Sequence, residues 1–209
     1  MLIWLNGPFG GGKTQTAAEL LRRLPGSLVC DPEQVGFGLQ RMAPRGAMAD
    51  FQDLAAWRQG VFEVLDLAVR RHPGPVIVPM TLVDPGYFDE VVGRLRRTGH
   101  DVKHFALLAE RETVLRRLRE RGLGHLLTAV GGRGSLRRES FAVRRLDDCL
   151  RQLSGSGFEQ HLWTDTVPIA RVAEQIAGAC GLSPLADADS RCLEWIRRAA
   201  VGIRHIRLR

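Results

Sequence analysis

A glycine-rich motif, G-x-x-x-x-G-K-T at residues 7–14, stands between a short apolar run and a helical pattern near the start of the chain. The apolar run is residues 2–5, and the helical pattern of residues 15–24 ends at Pro25 and Gly26. A strand, a glycine-rich turn and a helix in this order let consecutive backbone N–H groups surround phosphate oxygens at a helix N-terminus. The sequence therefore predicts a phosphate-binding loop, with a glycine-rich turn that holds no ligand as the alternative.

The predicted nucleotide-binding residues belong to this loop and to the first turn of the helix after it. The Lys13 ammonium is expected to reach the terminal phosphates, and the Thr14 hydroxyl is expected to help hold Mg²⁺. We therefore predict ATP and Mg²⁺ as cofactors, although the residues alone leave GTP open as the nucleotide. The predicted cofactor-binding residues are Gly7, Phe9, Gly10, Gly11, Gly12, Lys13, Thr14 and Gln15.

Apolar runs alternate with helical patterns along the rest of the chain. Such alternation is typical of a parallel sheet covered by helices on both faces, so we predict an α/β P-loop fold of the small-molecule and nucleotide-kinase type. The expected domain covers residues 1–182 and includes a lid segment at about 117–145. The five predicted strands are residues 2–5, 27–30, 75–80, 103–108 and 161–164, and the predicted helices include 51–71, 85–98 and 168–179.

Charge composition favours a protein that handles small phosphorylated molecules. Of 30 basic residues only Lys13 and Lys103 are lysines, so arginine carries almost all of the positive charge behind the net +7. Arginine holds phosphate through two parallel hydrogen bonds, although a base-composition bias in the gene explains the arginine content equally well. Because no nucleic-acid-binding motif accompanies the arginines, we predict a small-molecule partner and no nucleic acid.

Cysteine spacing and hydropathy predict a cytoplasmic protein. The four cysteines are widely spaced without a C-x-x-C pair, so they are expected to be reduced and structural. The N-terminal apolar run is too short for a signal peptide, and no run approaches the ~18 apolar residues of a membrane-spanning helix.

A basic amphipathic helix is predicted for the C-terminal segment, residues 183–209. From residue 187 onwards, apolar side chains recur every three or four positions and arginines occupy the other faces. Three interpretations stay open: the apolar stripe packs on the domain, lies on an anionic membrane surface, or forms a dimer contact. The second interpretation places the protein at the inner face of the membrane through a peripheral contact.

Two carboxylates follow the second predicted strand, where ligands bind in open α/β sheets. Asp31 is the predicted base that accepts a proton from the substrate hydroxyl, and Glu33 is the reserve. Both are also predicted substrate-binding residues. The alternative for Asp31 is a cap on the turn before Pro32 or on a helix that starts near Glu33.

The third predicted strand lacks the Mg²⁺-binding aspartate that switch GTPases and motor ATPases generally need, which favours a small-molecule kinase. Met80 and Thr81 at the end of this strand are predicted to line the acceptor pocket, with Thr81 as a simple strand-end residue the alternative. Trp57 and Arg58 are predicted substrate-binding residues on the helix expected to hold the acceptor. The Trp57 ring either stacks on a base or sugar or belongs to the core.

An arginine-rich helical pattern follows the fourth predicted strand. Arg117 and Arg121 are four residues apart and share a helix face, so both are predicted catalytic residues that reach the transferred phosphoryl group when the lid closes. The alternative is a surface helix on which Glu112 and Glu120 pair with arginines. The glycine-rich residues 122–139 are expected to form a loop in this lid.

Several short motifs together resemble the tunicamycin-resistance P-loop proteins. Besides the glycine-rich loop, the distinguishing pieces are D-P-E at residues 31–33 and V-P-M-T at residues 78–81. The similarity spans most of the chain, and it implies an ATP-binding protein that gives resistance to tunicamycin, a fatty-acylated nucleoside antibiotic containing uridine. It also implies an overall build similar to nucleotide and antibiotic kinases.

We therefore expect an ATP-dependent phosphotransferase that moves the γ-phosphate of ATP to a hydroxyl of tunicamycin or a similar nucleoside antibiotic. In this hypothesis Lys13 and the lid arginines stabilise the transferring charge, while Asp31 accepts the proton. One alternative is an ATP-binding protein that sequesters the antibiotic without chemistry, and another is a kinase for a metabolite.

Overall fold

A parallel sheet forms the centre of the computed structural model, which describes residues 1–44, 49–126, 143–155, 157–158 and 160–187. Within these ranges the sheet has five strands in the order β2-β3-β1-β4-β5. This order and the parallel pairing confirm the predicted α/β P-loop architecture. The strands are Leu2–Asn6 (β1), Leu28–Val29 (β2), Val76–Pro79 (β3), Val102–Leu108 (β4) and His161–Trp163 (β5).

The central strand, β1, pairs in parallel with β3 on one side and with β4 on the other. Every residue of Leu2–Asn6 is buried, which is why this strand forms a continuous apolar run in the sequence instead of an alternating one. At one edge, β2 pairs with β3 through two residues only, Leu28 and Val29. Because the five strands are parallel, their carboxyl ends lie along one edge of the sheet.

Helices connect the strands and cover both faces of the sheet. In the described ranges they are Lys13–Arg23 (α1), Glu33–Met42 (α2), Ala55–Arg71 (α3), Pro85–Phe88 (α4), Arg94–Arg97 (α5), Arg111–Leu126 (α6), Leu146–Leu153 (α7) and Ile169–Ala179 (α8). On one face α3 contributes to the core cluster that contains Trp4, and on the other α1 and α8 contribute to the cluster that contains Ile3 and Leu5. Burying each such side chain stabilises the fold by about 1.5–3 kcal/mol.

The helix predicted over residues 51–71 begins four residues later, at Ala55. The residues before it form a 3₁₀ turn, because the Asp50 carboxylate accepts a hydrogen bond from the Gln52 N–H and Leu54 is extended. The amide of Gln52 bonds to the segment that follows β3, so this turn lies beside the carboxyl edge of the sheet.

The helix predicted over residues 85–98 is composite in the structure. The Asp84 carboxylate caps α4 by accepting a hydrogen bond from the Tyr87 N–H. A π-helical turn, Asp89–Gly93, then joins α4 to α5. The residues at both junctions keep helical backbone angles, so the three pieces form one continuous helical segment.

Two predicted segments are only partly within the described residues. α6 continues to Leu126, so the start of the stretch predicted as a lid loop, residues 122–126, is helical, and this corrects the expected boundary. The rest of that lid up to residue 142, and the predicted C-terminal helix from residue 188 onwards, lie outside the described residues. Among the described helices, none combines the length and the apolar character that crossing a membrane requires.

Arg23 fastens the end of the described chain to α1. Its side chain is 3% exposed, and its guanidinium pairs with Glu174 of α8 over 2.9 Å and donates to the Leu185 carbonyl oxygen over 2.7 Å. The Leu185 N–H returns a hydrogen bond of 2.8 Å to the Arg23 carbonyl oxygen. Residues 183–187, expected as the start of the C-terminal helix, are therefore non-helical and lie against α1.

Candidate functional site

The loop between β1 and α1 is shaped by glycines with positive φ. These are Gly7 at 152°, Gly10 at 82° and Gly12 at 96°. A Cβ on Gly7 would lie 2.7 Å from the Leu107 carbonyl oxygen, so any larger residue there collides with the backbone of β4. Gly12 stands immediately before α1 in the left-handed conformation, which glycine adopts at little cost. The backbone therefore follows the path expected of a phosphate-binding loop.

The Lys13 side chain folds over this loop and is 7% exposed. Its Nζ donates hydrogen bonds to the carbonyl oxygens of Gly7 over 2.8 Å and Pro8 over 2.9 Å. The same Nζ lies 5.6 Å from the centre of the exposed Phe9 ring. A buried ammonium is tolerated only with such partners, so the loop holds a fixed positive charge where the helix N-terminus already favours an anion. This set of donors fits a phosphate group.

Thr14 and Gln15 lie in the first turn of α1 and are partly exposed. The Thr14 hydroxyl is the kind of oxygen ligand that Mg²⁺ prefers. No group of three or more His, Cys, Asp or Glu side chains in the described part of the chain is arranged to hold a metal ion. The role of Thr14 as a ligand of Mg²⁺, together with nucleotide phosphates and water, stays a prediction.

Asn6, at the end of β1, fastens the loop to the segment after β3. Its side-chain Nδ2 donates to the Leu82 carbonyl oxygen over 2.7 Å. Its Oδ1 accepts hydrogen bonds from the N–H groups of Gly7, at 2.9 Å, and Leu82, at 3.0 Å. We call these three bonds the Asn6 latch. Asn6 was not among the predicted site residues, and the available signal was a polar residue that ends an otherwise apolar strand.

Met80 and Thr81 are both buried just after β3, and their predicted contact with the acceptor stays a prediction. Met80 is buried in the core cluster that contains Trp4. The Thr81 hydroxyl points to the phosphate-binding loop and donates to the Gly7 carbonyl oxygen over 2.7 Å. Thr81 is therefore a residue at the end of a strand, as the alternative proposed, and it also connects the end of β3 to the loop.

A second contact reaches Thr81 from the 3₁₀ turn before α3. The Gln52 Nε2 donates to the Thr81 carbonyl oxygen over 3.0 Å. The turn is anchored by Phe51, whose ring packs so closely on α2 that a Cβ on Gly36 would lie 2.5 Å from it. Gln52 was also absent from the predicted site, since no local pattern indicates a contact between residues 29 positions apart.

Trp57 and Arg58 support this turn from α3. Trp57 has no exposed surface, and its indole Nε1 donates to the Pro32 carbonyl oxygen over 3.1 Å. The ring therefore belongs to the core, which corrects the expectation that it stacks on a ligand. Arg58 donates to the Gln52 carbonyl oxygen over 2.6 Å and pairs with Glu90 over 2.6 Å. Its guanidinium therefore braces the turn, and its predicted contact with a substrate stays a prediction.

Asp31 follows β2 at the predicted position on the carboxyl edge of the sheet. Its Oδ1 accepts a hydrogen bond of 3.0 Å from the Glu33 N–H, and its Oδ2 accepts one of 3.3 Å from the Gln34 side chain. The contact with Glu33 closes the turn over Pro32, which is the turn-cap alternative for Asp31, and α2 then begins at the half-buried Glu33. A carboxylate accepts about four hydrogen bonds, so capping and proton acceptance are compatible.

The two arginines predicted to reach the phosphoryl group belong to α6. Arg117 donates through Nη1 to the Thr164 hydroxyl over 3.0 Å and through Nη2 to the Thr164 carbonyl oxygen. Thr164 follows β5, so Arg117 lies at the carboxyl edge of the sheet, on the side of α6 and β5. The side chain of Arg121 lies outside the described residues. A catalytic role for either arginine stays a prediction.

The described cysteines are Cys30, Cys149 and Cys180, and each is a free thiol. Burial raises the pKa of the Cys149 thiol to about 11, even though the nearby Lys13 and Arg145 charges lower it. Burial likewise raises the pKa of Cys180 to about 11. Both thiols are therefore protonated at neutral pH and inert as nucleophiles, in agreement with a structural role.

A glycine-rich phosphate-binding loop at the carboxyl edge of a 2-3-1-4-5 parallel sheet defines a nucleotide-kinase-like P-loop protein. Residues 2–126 match the model of a family described as an AAA domain. The structure of the tunicamycin resistance protein of Deinococcus radiodurans has a TM-score of 0.70 and 33% identity to this chain, over 89% of this chain and 99% of that one. The chain therefore belongs to the AAA domain family and to the tunicamycin-resistance P-loop proteins, as its motifs indicated.

Two kinases share the fold at lower identity. The APS kinase of Mycobacterium tuberculosis has 14% identity and a TM-score of 0.57, over 86% of this chain and 96% of that one. The shikimate kinase of Bacteroides thetaiotaomicron has 19% identity and a TM-score of 0.56, over 87% of this chain and 99% of that one. No curated protein matches the sequence. These likenesses support a small-molecule kinase-like architecture.

Proposed function

We propose that this protein is an ATP-dependent phosphotransferase that moves the γ-phosphate of ATP to a hydroxyl of tunicamycin or a similar nucleoside antibiotic. The observation that carries the proposal is the buried, positively charged Lys13 inside a glycine-rich loop. Asp31, at the end of β2, supplies a carboxylate on the same edge of the sheet. The kinase-like fold supports phosphoryl transfer, and the family supports the class of substrate.

In the proposed reaction the loop N–H groups bind the nucleotide phosphates, and Lys13 neutralises charge that develops during transfer. Mg²⁺ held by Thr14 would supply charge neutralisation at the phosphate oxygens. The acceptor oxygen bonds to the γ-phosphorus, the bond from that phosphorus to the bridging oxygen of ADP breaks, and Asp31 accepts the hydroxyl proton. The products are ADP and a phosphorylated antibiotic.

The test is ADP release by the purified protein with Mg²⁺ and ATP, measured with and without tunicamycin. Mass spectrometry of the antibiotic should detect the gain of one phosphoryl group. Asp31→Asn should lower kcat by about 10²- to 10⁴-fold, because general-base catalysis contributes a factor of this size. Asp101→Asn is the matched control. Asp101 is an exposed carboxylate just before the amino end of β4, at the edge of the sheet opposite to that of Asp31.

A second candidate is an ATP-binding protein that holds the antibiotic without making a bond. In this candidate the hydrogen bonds that Asp31 accepts from Glu33 and Gln34 are its whole role. It predicts stoichiometric tunicamycin binding with no ADP release, and Asp31→Asn would then weaken resistance only as far as it weakens binding. A metabolite kinase, the third candidate, would consume ATP with that metabolite and ignore the antibiotic.

The predicted cytoplasmic location and peripheral membrane contact belong to the same proposal. The contact is assigned to the basic segment from residue 188 onwards, which the sequence predicts as an amphipathic helix. Co-sedimentation with vesicles containing anionic lipid should be lost when residues 188–209 are removed. Equal sedimentation of both forms would reject the membrane interpretation in favour of packing on the domain or a dimer contact.

A further inference from the structure

Two side chains donate to the same buried carbonyl oxygen in the phosphate-binding loop. The Gly7 oxygen accepts from Lys13 Nζ at 2.8 Å and from Thr81 Oγ1 at 2.7 Å. A carbonyl oxygen has two lone pairs, so these two donors satisfy it fully. Lys13 and Thr81 are both buried, so water does not readily replace either donor.

The second carbonyl oxygen that Lys13 contacts is also doubly satisfied. The Pro8 oxygen accepts from Lys13 Nζ at 2.9 Å and from the Gly11 N–H at 2.9 Å. When a phosphate group draws the Lys13 ammonium away, each carbonyl it leaves therefore keeps one donor. For Pro8 that donor is backbone, and for Gly7 it is the hydroxyl of Thr81.

We propose that Thr81 is a positioning residue for nucleotide binding, because its hydroxyl holds the Gly7 carbonyl oxygen when Lys13 moves from the loop to a phosphate. This inference rests on the proposed nucleotide-binding function of the loop. It assigns to Thr81 a role different from the acceptor contact that the sequence suggested.

The backbone around Thr81 is held on both sides, which fixes where the hydroxyl points. Gln52 donates to the Thr81 carbonyl oxygen over 3.0 Å. The Asn6 latch holds the N–H and carbonyl groups of the next residue, Leu82. These contacts hold the segment after β3 in the position from which the Thr81 hydroxyl reaches the Gly7 carbonyl oxygen.

The first test compares nucleotide affinity in two variants of similar size. Thr81→Val keeps the shape but removes the donor, so the Gly7 carbonyl becomes unsatisfied when Lys13 leaves it. ATP and ADP should then bind about 5- to 150-fold more weakly, measured by isothermal titration calorimetry, since a buried unsatisfied group costs about 1–3 kcal/mol. Thr81→Ser keeps the hydroxyl and should bind within about twofold of the wild type.

The second test needs no ligand, because it relies on the two donors, Lys13 and Thr81, that share the Gly7 carbonyl oxygen. In the ligand-free protein, Thr81→Val leaves Lys13 on the Gly7 oxygen, so the midpoint of urea unfolding should fall only slightly. In the Lys13→Met background the same change removes the remaining side-chain donor to that oxygen, so the midpoint should fall by clearly more. Additive effects of the two substitutions would overturn the shared-acceptor arrangement.

The outcomes separate this inference from the function it rests on. A wild-type protein that binds no nucleotide defeats the proposed function. Nucleotide binding by the wild type, with equal affinity in Thr81→Val, leaves that function intact and overturns the role of Thr81. Equal weakening in Thr81→Val and Thr81→Ser also overturns it, because the hydroxyl is then not the cause. If Thr81→Val fails to fold, Thr81→Ala against Thr81→Ser gives the same comparison.

Discussion

Replacing Asn6 with leucine removes three hydrogen bonds from a side chain that has no exposed surface. Three backbone groups, the N–H of Gly7 and both polar groups of Leu82, would lose their side-chain partner inside the protein. Each buried group left unsatisfied costs about 1–3 kcal/mol. Allowing for partial relaxation, we expect Asn6→Leu to lower the free energy of unfolding by about 3–6 kcal/mol, a large part of the stability of an ordinary domain.

Asn6→Asp tests the same latch more finely because it changes one donor into an acceptor. The aspartate can still accept from the N–H groups of Gly7 and Leu82, but as a carboxylate it faces the Leu82 carbonyl oxygen without a proton to donate. Only the protonated form restores that bond, so its folded-state pKa should lie above the unfolded value of about 3.9. The variant should therefore be most stable below the unfolded pKa. Between the unfolded and the folded-state pKa its free energy of unfolding should fall by about 1.4 kcal/mol per pH unit.

The measurement is urea unfolding of wild type and variants between pH 4 and pH 8, followed by the fluorescence of the buried Trp4 and Trp57. The quantity of interest is the difference from wild type at each pH, because native carboxylates such as Asp66 also titrate. A hydrogen bond from His100 lowers the pKa of Asp66, so that wild-type contribution is lost as pH falls, which is the opposite trend. A flat difference for Asn6→Asp, or a loss below about 1 kcal/mol for Asn6→Leu, would refute the reasoning.

Two further predictions concern a pair of glycines in α2 and the ion pair between Arg23 and Glu174. Gly36→Ala should lower the free energy of unfolding by about 1–3 kcal/mol because its Cβ would lie 2.5 Å from the Phe51 ring, whereas Gly38→Ala, with no atom within 4 Å, should raise it by about 0.5–1 kcal/mol. Urea unfolding of both variants measures this, and shifts of the same sign would contradict it. Arg23→Met should lower the free energy of unfolding by about 2–4 kcal/mol in the same measurement. This is less than for a fully buried ion pair, because Glu174 is partly exposed. A loss below about 1 kcal/mol would argue against the contact between Arg23 and Glu174. The hydrogen bond from Arg23 is the main cause of the lowered pKa of Glu174. The ionised Glu174 therefore stabilises the fold above the usual carboxylate pKa, and this stabilisation is lost as pH falls through the lowered pKa. Glu174→Gln should weaken the acid sensitivity of thermal unfolding, and an unchanged acid profile would show that Glu174 does not contribute to it.

The centre of the fold could be predicted from the sequence because β1, β3 and nearly all of β4 are buried, whereas β2 and β5 are partly exposed. Continuous apolar runs at β1, at β3 and over residues 105–108 of β4 distinguish these strands from the periodic helices, and the glycine-rich motif fixes which strand comes first. Boundaries were less accurate where a side chain set them. The start of α3 depends on the Asp50 cap, which competes with helix formation over the preceding residues.

The site was predicted in part, for a physical reason that depends on distance along the chain. Lys13 and the loop glycines lie in one continuous motif, so the sequence alone indicates their proximity. The contacts of Asn6 with Leu82 and of Thr81 with Gly7 join residues 76 and 74 positions apart, and local spacing carries no information about them. Trp57 shows the opposite limit, because helical spacing places it on a face without deciding whether that face meets a ligand or the core.

The segments that carry Lys13 and Asp31 are unequally anchored in the sheet, and this has a kinetic consequence. Lys13 and its loop follow a strand with a partner on each side, whereas Asp31 follows β2, an edge strand of two residues in which Leu28 is exposed. Backbone amides around Asp31 should exchange with deuterium faster than those of β1, because an edge this short opens at a smaller free energy. If the proposed reaction holds, the side near Asp31 would open to admit a bulky acceptor while the loop around Lys13 stays assembled, so we expect ATP to bind before the acceptor enters.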